Sequence, residues 1–335
     1  MTFDLPTVWA GLVAFAVLAY VILDGFDLGV GILFPFLSEE EERDEMMNSV
    51  APVWDGNETW LVLGGGGLFA VFPLAYAVIM PALYAPIIVM LLGLIFRGVS
   101  FEFRWKTRRG KYLWDWGFFG GSTLAAFAQG VALGALVQGI PVEGRAYAGG
   151  WWDWLTPFSL FTGAALVVGY ALLGATWLIL KTEDHVQNRA YQIAGIVAPA
   201  TLALIGVVSL WTPLLNADYL GRWFGWPNTL YASPIPIMVA LAAFLLLRGL
   251  KERRELSPFL AAQSLFVLSF IGIGISFYPY IVPGSVTIHA AAAPDNSLSF
   301  LLWGAAVLIP LILIYTAYSY WVFRGKVKAH SGGYH

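Results

Sequence analysis

The chain has 335 residues, 59% of them apolar and only 12% charged, with a mean hydropathy of +0.73. A soluble domain carries about twice that charged fraction, so the composition is that of an integral membrane protein. With no cysteine, a net charge of −3 and no Lys/Arg block interleaved with aromatics, it excludes disulfides, zinc–thiolate sites, iron–sulfur clusters and a nucleic-acid surface.

Spanning the hydrocarbon takes about 20 mostly apolar residues. On that criterion nine helices are expected, roughly at 7–37, 48–72, 75–104, 114–138, 158–181, 190–212, 229–250, 259–279 and 299–323. The fold class is therefore all-α, one polytopic domain over 1–335. Asp4 is the only charged side chain ahead of the first run, which is too long for a signal peptide, so it reads as a retained helix. The first and third segments are over-long, implying tilt or a bend. Pro81 and Pro86 each remove a backbone donor and predict a kink in the third. Around Phe72 and Pro73 the link between the second and third is very short.

With the N-terminus outside, sixteen of the eighteen basic residues fall on the cytoplasmic side, from Arg43 through Arg104, Lys181 and Arg254 to Lys328. Only Arg145 and Arg222 fall outside. The tryptophans at 151, 152, 154, 223 and 226 then mark an outer aromatic belt. Glycines four apart, Gly25/Gly29 and Gly130/Gly134, permit close helix contacts, as does the run Gly64–Gly67.

The stretch LDGFDLGVG (Leu23 to Gly31) sets Asp24 and Asp27 inside the first apolar segment. An ionisable group at that depth marks an ion or proton route by default. Asp55 and Glu58 enter the second segment with the same three-residue spacing, which places each pair on one helix face. Antiparallel neighbours would bring all four carboxylates into one pocket open to the cytoplasm, with Arg97 as counter-charge. The alternatives are structural: Asp27 solvated or capping, and Asp55 and Glu58 held by the positive end of the helix dipole. The four histidines, His185, His289, His330 and His335, all fall outside the apolar spans, so a haem held between two intramembrane histidines is not expected in this chain. Met80, Met90 and Met238 read as packing residues, and Gln129 and Gln138 as interhelical hydrogen-bonding groups. No metal site is expected.

Three ordered tracts carry a family resemblance: DGFDLGVG (Asp24 to Gly31), NSVAPVWDGNETW (Asn48 to Trp60) and GLIFRGVSFEFR (Gly93 to Arg104). On these the chain resembles subunit 2 of the cytochrome bd-type quinol oxidases, including the cyanide-insensitive branch. The resemblance implies a heterodimer with a haem-bearing subunit 1 holding two haems b and a third haem, d or b, and oxidising quinol at its outer face. It implies that this chain ligates no haem, that Asp24 and Asp55 line a proton route from the cytoplasm, and that a quinone serves as substrate and in some members as a structural ligand of subunit 2. It also implies a small single-span accessory subunit and a bacterial plasma-membrane location. Several relatives have Gln where this chain has Glu58, which adds an acid to the tract. Competing readings are a proton-coupled transporter, which should show paired broken helices; a b-type haem anchor, which fails on histidine placement; and a scaffold with no part in proton transfer.

Overall fold

The computed structural model describes residues 4–327. Lys328, His330 and His335 lie outside the described residues. The chain is helical almost throughout: α1 (Leu5–Leu33, ending in a 3-10 turn, Phe34–Phe36), α2 (Glu40–Val50), α3 (Trp54–Val71), α4 (Pro73–Ala82), α5 (Tyr84–Lys106), α6 (Lys111–Gln138), α7 (Pro157–Lys181) and α8 (Asp184–Leu215). There follow α9 (Ala217–Phe224), α10 (Asn228–Ala232), α11 (Pro234–Lys251), α12 (Leu256–Phe277), α13 (Ile288–Ala291) and α14 (Asp295–Val322). Two small antiparallel hairpins, β1 (Val142–Glu143) with β2 (Ala146–Tyr147) and β3 (Tyr280–Val282) with β4 (Val286–Thr287), sit in the connections.

Among the described residues eight helical segments are long and apolar enough to cross a membrane: α1, α5, α6, α7, α8, α10 with α11, α12 and α14. The expected second segment, 48–72, is not one helix. Pro52 offers no backbone N–H to continue the helix, and the chain turns at 51–53, separating the amphipathic α2 from α3. The 18 residues of α3 begin with the polar WDGNET turns, which lower its apolarity. It nevertheless runs antiparallel along α1, with Asn57 beside Asp27, Gly64 beside Val17 and Gly67 beside Val13. The expected third segment, 75–104, also divides. Pro86 cannot donate to the carbonyl of Ala82, and the helix breaks at Leu83 rather than merely bending.

Close approach of α1 to α7 organises the interior. A Cβ on Gly29 would lie 1.9 Å from the Tyr170 carbonyl oxygen, and one on Gly174 would lie 2.2 Å from the Gly29 carbonyl carbon. The backbones touch there because neither residue has a side chain. Gly93 and Gly121 do the same for α5 and α6, and Gly130 with Gly163 for α6 and α7. These contacts enclose the second part of α1, where every residue from Asp24 to Leu33 is buried. In α14, by contrast, only Leu298 is buried, and Phe300, Trp303 and Leu311 are exposed.

Each end of the bundle is tied by polar contacts. At the end where α1 finishes, Arg104 is fully buried, bonds Asp115 Oδ1 through Nε at 2.6 Å and pairs with Asp44; Arg43 reaches the other Asp115 oxygen at 3.1 Å. This pins α2 across α5 and α6. The Lys181 ammonium donates to the carbonyls of Phe323 and Gly325 there. At the opposite end Trp9 donates to the Leu298 carbonyl at 3.0 Å, and Tyr219 to that of Val137 at 2.9 Å. Trp151, Trp152 and Trp226 are exposed at this second end, while Trp223 donates to Ser276 Oγ at 2.9 Å.

Gly29→Val should remove the assembled protein from membranes, as judged by the yield of purified complex, because a branched side chain cannot occupy the α1–α7 crossing. On α2, burial pushes the Glu45 carboxyl up from its ordinary value, opposed by a hydrogen bond from the Glu183 backbone. The folded state therefore binds the proton more tightly than the unfolded state. Stability from this group is present below the ordinary glutamate range and lost as pH rises through the raised value. Glu45→Gln should accordingly raise the melting temperature near neutral pH and lose that advantage in acid, a difference thermal unfolding at the two pH values would reveal.

Candidate functional site

At the level where α1 becomes enclosed, one guanidinium meets several carboxylates. Asp24 and Asp27 lie one turn apart on the same face of α1, and Arg97 enters from α5. All three are completely buried, at 0% exposure. Arg97 Nη1 stands 2.7 Å from Asp24 Oδ1, and Nη2 stands 3.8 Å from Asp27 Oδ2. Glu58, on the first turns of α3, brings its Oε2 to 3.7 Å from Arg97 Nη1, with its side chain 26% exposed. The guanidinium also lies over the ring of Trp54 at 5.5 Å, and Trp54 stacks on Phe101 with ring centroids 4.7 Å apart. A cation between carboxylates on one side and an aromatic face on the other is held in a planar, oriented way that an ammonium could not reproduce.

Three of the four expected carboxylates thus share one pocket. Asp55 does not join it. One turn before Glu58, its side chain is exposed and forms no ion pair among the described residues. The carboxylates therefore form a graded series along one wall, from exposed Asp55 through partly exposed Glu58 to buried Asp24 and Asp27. With three carboxyl groups against one guanidinium, the pocket has more acidic sites than Arg97 can balance. Such a group shares protons as a unit rather than residue by residue. Arg97 is the charge partner that the sequence suggests.

Hydrogen bonds extend the cluster through residues that no charge pattern singles out. Asn57 Nδ2 donates to Asp27 Oδ2 at 2.7 Å, and the Tyr320 hydroxyl, from the far end of α14, donates to Asn57 Oδ1 at 2.9 Å. Nearby on α7, the Tyr170 hydroxyl donates to Gln129 Oε1 at 3.0 Å, so Gln129 makes the interhelical bond expected of it. Gln138 likewise donates to Thr156 Oγ1 at 2.8 Å. Asn57 falls inside a quoted motif, yet an uncharged amide beside three acids draws no attention. Tyr320 lies in an AYSYW run that reads as interfacial aromatics.

The histidines among the described residues do not fit a pair of axial ligands. His185 pairs with Glu42 beyond one end of α1, and His289 Nε2 lies 3.1 Å from Asp4 Oδ1 at its other end. The 29-residue α1 separates them by about 40 Å at 1.5 Å per residue. Among the described residues no cluster of three or more His, Asp or Glu side chains could hold a metal ion.

The family model described as cytochrome bd terminal oxidase subunit II matches residues 5–323. The chain belongs to this family. It is similar to cytochrome bd-I ubiquinol oxidase subunit 2 of Escherichia coli strain K12, with 32% identity over 96% of this chain and 94% of that protein. It is similar also to cytochrome bd ubiquinol oxidase subunit 2 of Bacillus subtilis strain 168, 30% identical over 97% of both. Its fold matches a chain of the bd oxidase from Geobacillus thermodenitrificans with a TM-score of 0.76 at 16% identity, covering 96% of this chain and 99% of that one.

Replacing Arg97 by Met would leave buried carboxylates without their cation. Breaking a buried ion pair from one side costs about 3–5 kcal/mol. A clear fall in melting temperature of the detergent-purified complex is expected for Arg97→Met, with Arg97→Lys recovering only part of it.

Proposed function

We propose that this chain is the second subunit of a quinol-oxidising, oxygen-reducing complex and that it carries protons inward from the cytoplasmic face along Asp55, Glu58, Asp24 and Asp27. The observation that carries the reading is the buried Arg97–carboxylate cluster, reached from the exposed end of α3 by acids of decreasing exposure. Burying one ion pair is expensive in an apolar interior, and burying surplus carboxylates beside it is more so. A scaffold has no use for such an arrangement, whereas a relay needs sites that exchange a charge for a proton.

The sidedness follows from charge. Nearly all the described basic residues lie towards the end of the bundle where α1, α5, α7, α11 and α14 finish, and the other end holds only Arg145 and Arg222. Under the positive-inside rule the basic end is cytoplasmic and the N-terminus lies outside. Counting α3, which runs the length of α1 despite its polar start, gives nine spans in one polytopic domain of a bacterial inner membrane.

The partner is the haem-bearing subunit 1, with two haems b and a haem d or b, and the reductant is a quinol. The redox chemistry is supplied by cofactors there; this chain's residues orient, hold and pass protons. Each electron delivered to oxygen is matched by a proton. Drawing those protons from inside while quinol releases its own outside charges the membrane without pumping. The fit of a structural quinone or of a small accessory subunit belongs to the same reading.

Asp24→Asn should lower quinol-driven oxygen uptake at least tenfold while the purified complex keeps its haem content and subunit ratio. Asp55→Asn should produce a smaller loss, since Glu58 stands one turn farther in. Unaltered uptake in both, measured polarographically on normally assembled complex, would return the scaffold reading.

A further inference from the structure

Resting on that reading of the cluster, we propose that Tyr320 is a positioning residue: through Asn57 it fixes how the Asp27 carboxylate is held. The two ends of the Asn57 amide are chemically different, one a donor and one an acceptor. The Tyr320 hydroxyl donates to Oδ1, which commits the amide to present its NH2 group to Asp27. Turned over, the amide would set a carbonyl oxygen against a carboxylate oxygen. Asn57 is 1% exposed, so bulk solvent does not reach the amide, and besides Asp27 its Nδ2 meets only the Leu23 carbonyl, at a long 3.5 Å.

The groups that meet Asp27 define what else could orient it. Asp24 lies on its own helix, Arg97 of α5 stands 3.8 Å away, and α3 brings Asn57 and Glu58. On neighbouring turns of α1, Tyr170 of α7 packs beside Gly25 and bonds Gln129, and Gln263 of α12 donates to the Ile22 carbonyl, so neither hydrogen bond goes to Asp27. Among the described residues Asp27 Oδ1 has no hydrogen-bond partner, and the Asn57 amide supplies the one hydrogen bond to this carboxylate.

Tyr320 is itself held in place. Its ring lies edge-on to Phe26 and Trp177, with centroids 6.4 and 6.3 Å away. Just beyond it the end of α14 is strapped to its neighbours. Lys181 Nζ donates to the Gly325 carbonyl at 2.7 Å, the Val327 amide donates to the Lys181 carbonyl at 2.8 Å, and Lys326 pairs with Glu255 at 2.6 Å. Between Leu298, buried at the other end, and this anchored end, α14 is largely exposed.

Tyr320→Phe keeps the ring and removes only the hydroxyl. Infrared difference spectra of the purified complex, with the Asp27 carboxyl band identified by its loss in Asp27→Asn, should show that band displaced in Tyr320→Phe. Oxygen uptake should fall about two- to tenfold, the equivalent of one lost hydrogen bond, at unchanged haem content. Tyr318→Phe, on the exposed side of α14, should leave both readouts as they were. A wild-type band and wild-type uptake in Tyr320→Phe, with uptake lost in Asp27→Asn, would overturn the inference and leave the proton route standing. Wild-type uptake in both Asp24→Asn and Asp27→Asn would overturn the proton route itself.

Discussion

The constraint on which this structure depends is the burial of the Arg97 guanidinium. A cation enclosed in an apolar bundle is tolerable only if anions and aromatic faces surround it. Asp24 at 2.7 Å and Asp27 from α1, with Glu58 and the ring of Trp54 from α3, meet that demand. Each therefore has to arrive at one depth with the correct rotation about its helix axis. The α1–α3–α5 arrangement is as much a consequence of that electrostatic requirement as of apolar packing.

Apolar packing then decides how closely the helices can come. Within a bilayer the lipid chains compete equally well for apolar side chains, so association relies on close contact and on polar bonds between helices. Gly29 against Gly174, and Gly93 against Gly121, let backbones meet and close the wall around α1. The Arg104–Asp115–Arg43 network at one end and the backbone-directed bonds of Trp9 and Tyr219 at the other hold the helices in register. The proposed proton route and the fold draw on the same few residues at the centre and separate only towards the ends.

Much of this was legible in the sequence because membranes impose strong rules. Apolar runs of about twenty residues gave eight of the long helices, and acids in such runs marked the cluster. Arg97 was legible as an available counter-charge near the inner end of its segment, though not which acid it would meet. Legibility failed where backbone chemistry overrides composition: Pro52 divides the second segment and Pro86 the third, since hydropathy does not count backbone donors. It failed again for Asp55, whose three-residue spacing from Glu58 sets both on one face but does not say where that face leaves the interior. Asn57 and Tyr320, 263 positions apart, meet only through the tertiary fold.

The central claim is that the acids of this chain deliver the protons that oxygen reduction consumes. Its most direct test is the voltage generated across a proteoliposome membrane during a single turnover of the reduced complex with oxygen. The account predicts a charge-moving phase coupled to proton uptake from the basic side in the wild-type complex, and its loss or marked slowing when Asp24 is Asn. An electrogenic phase of unchanged rate and amplitude in that variant would contradict it.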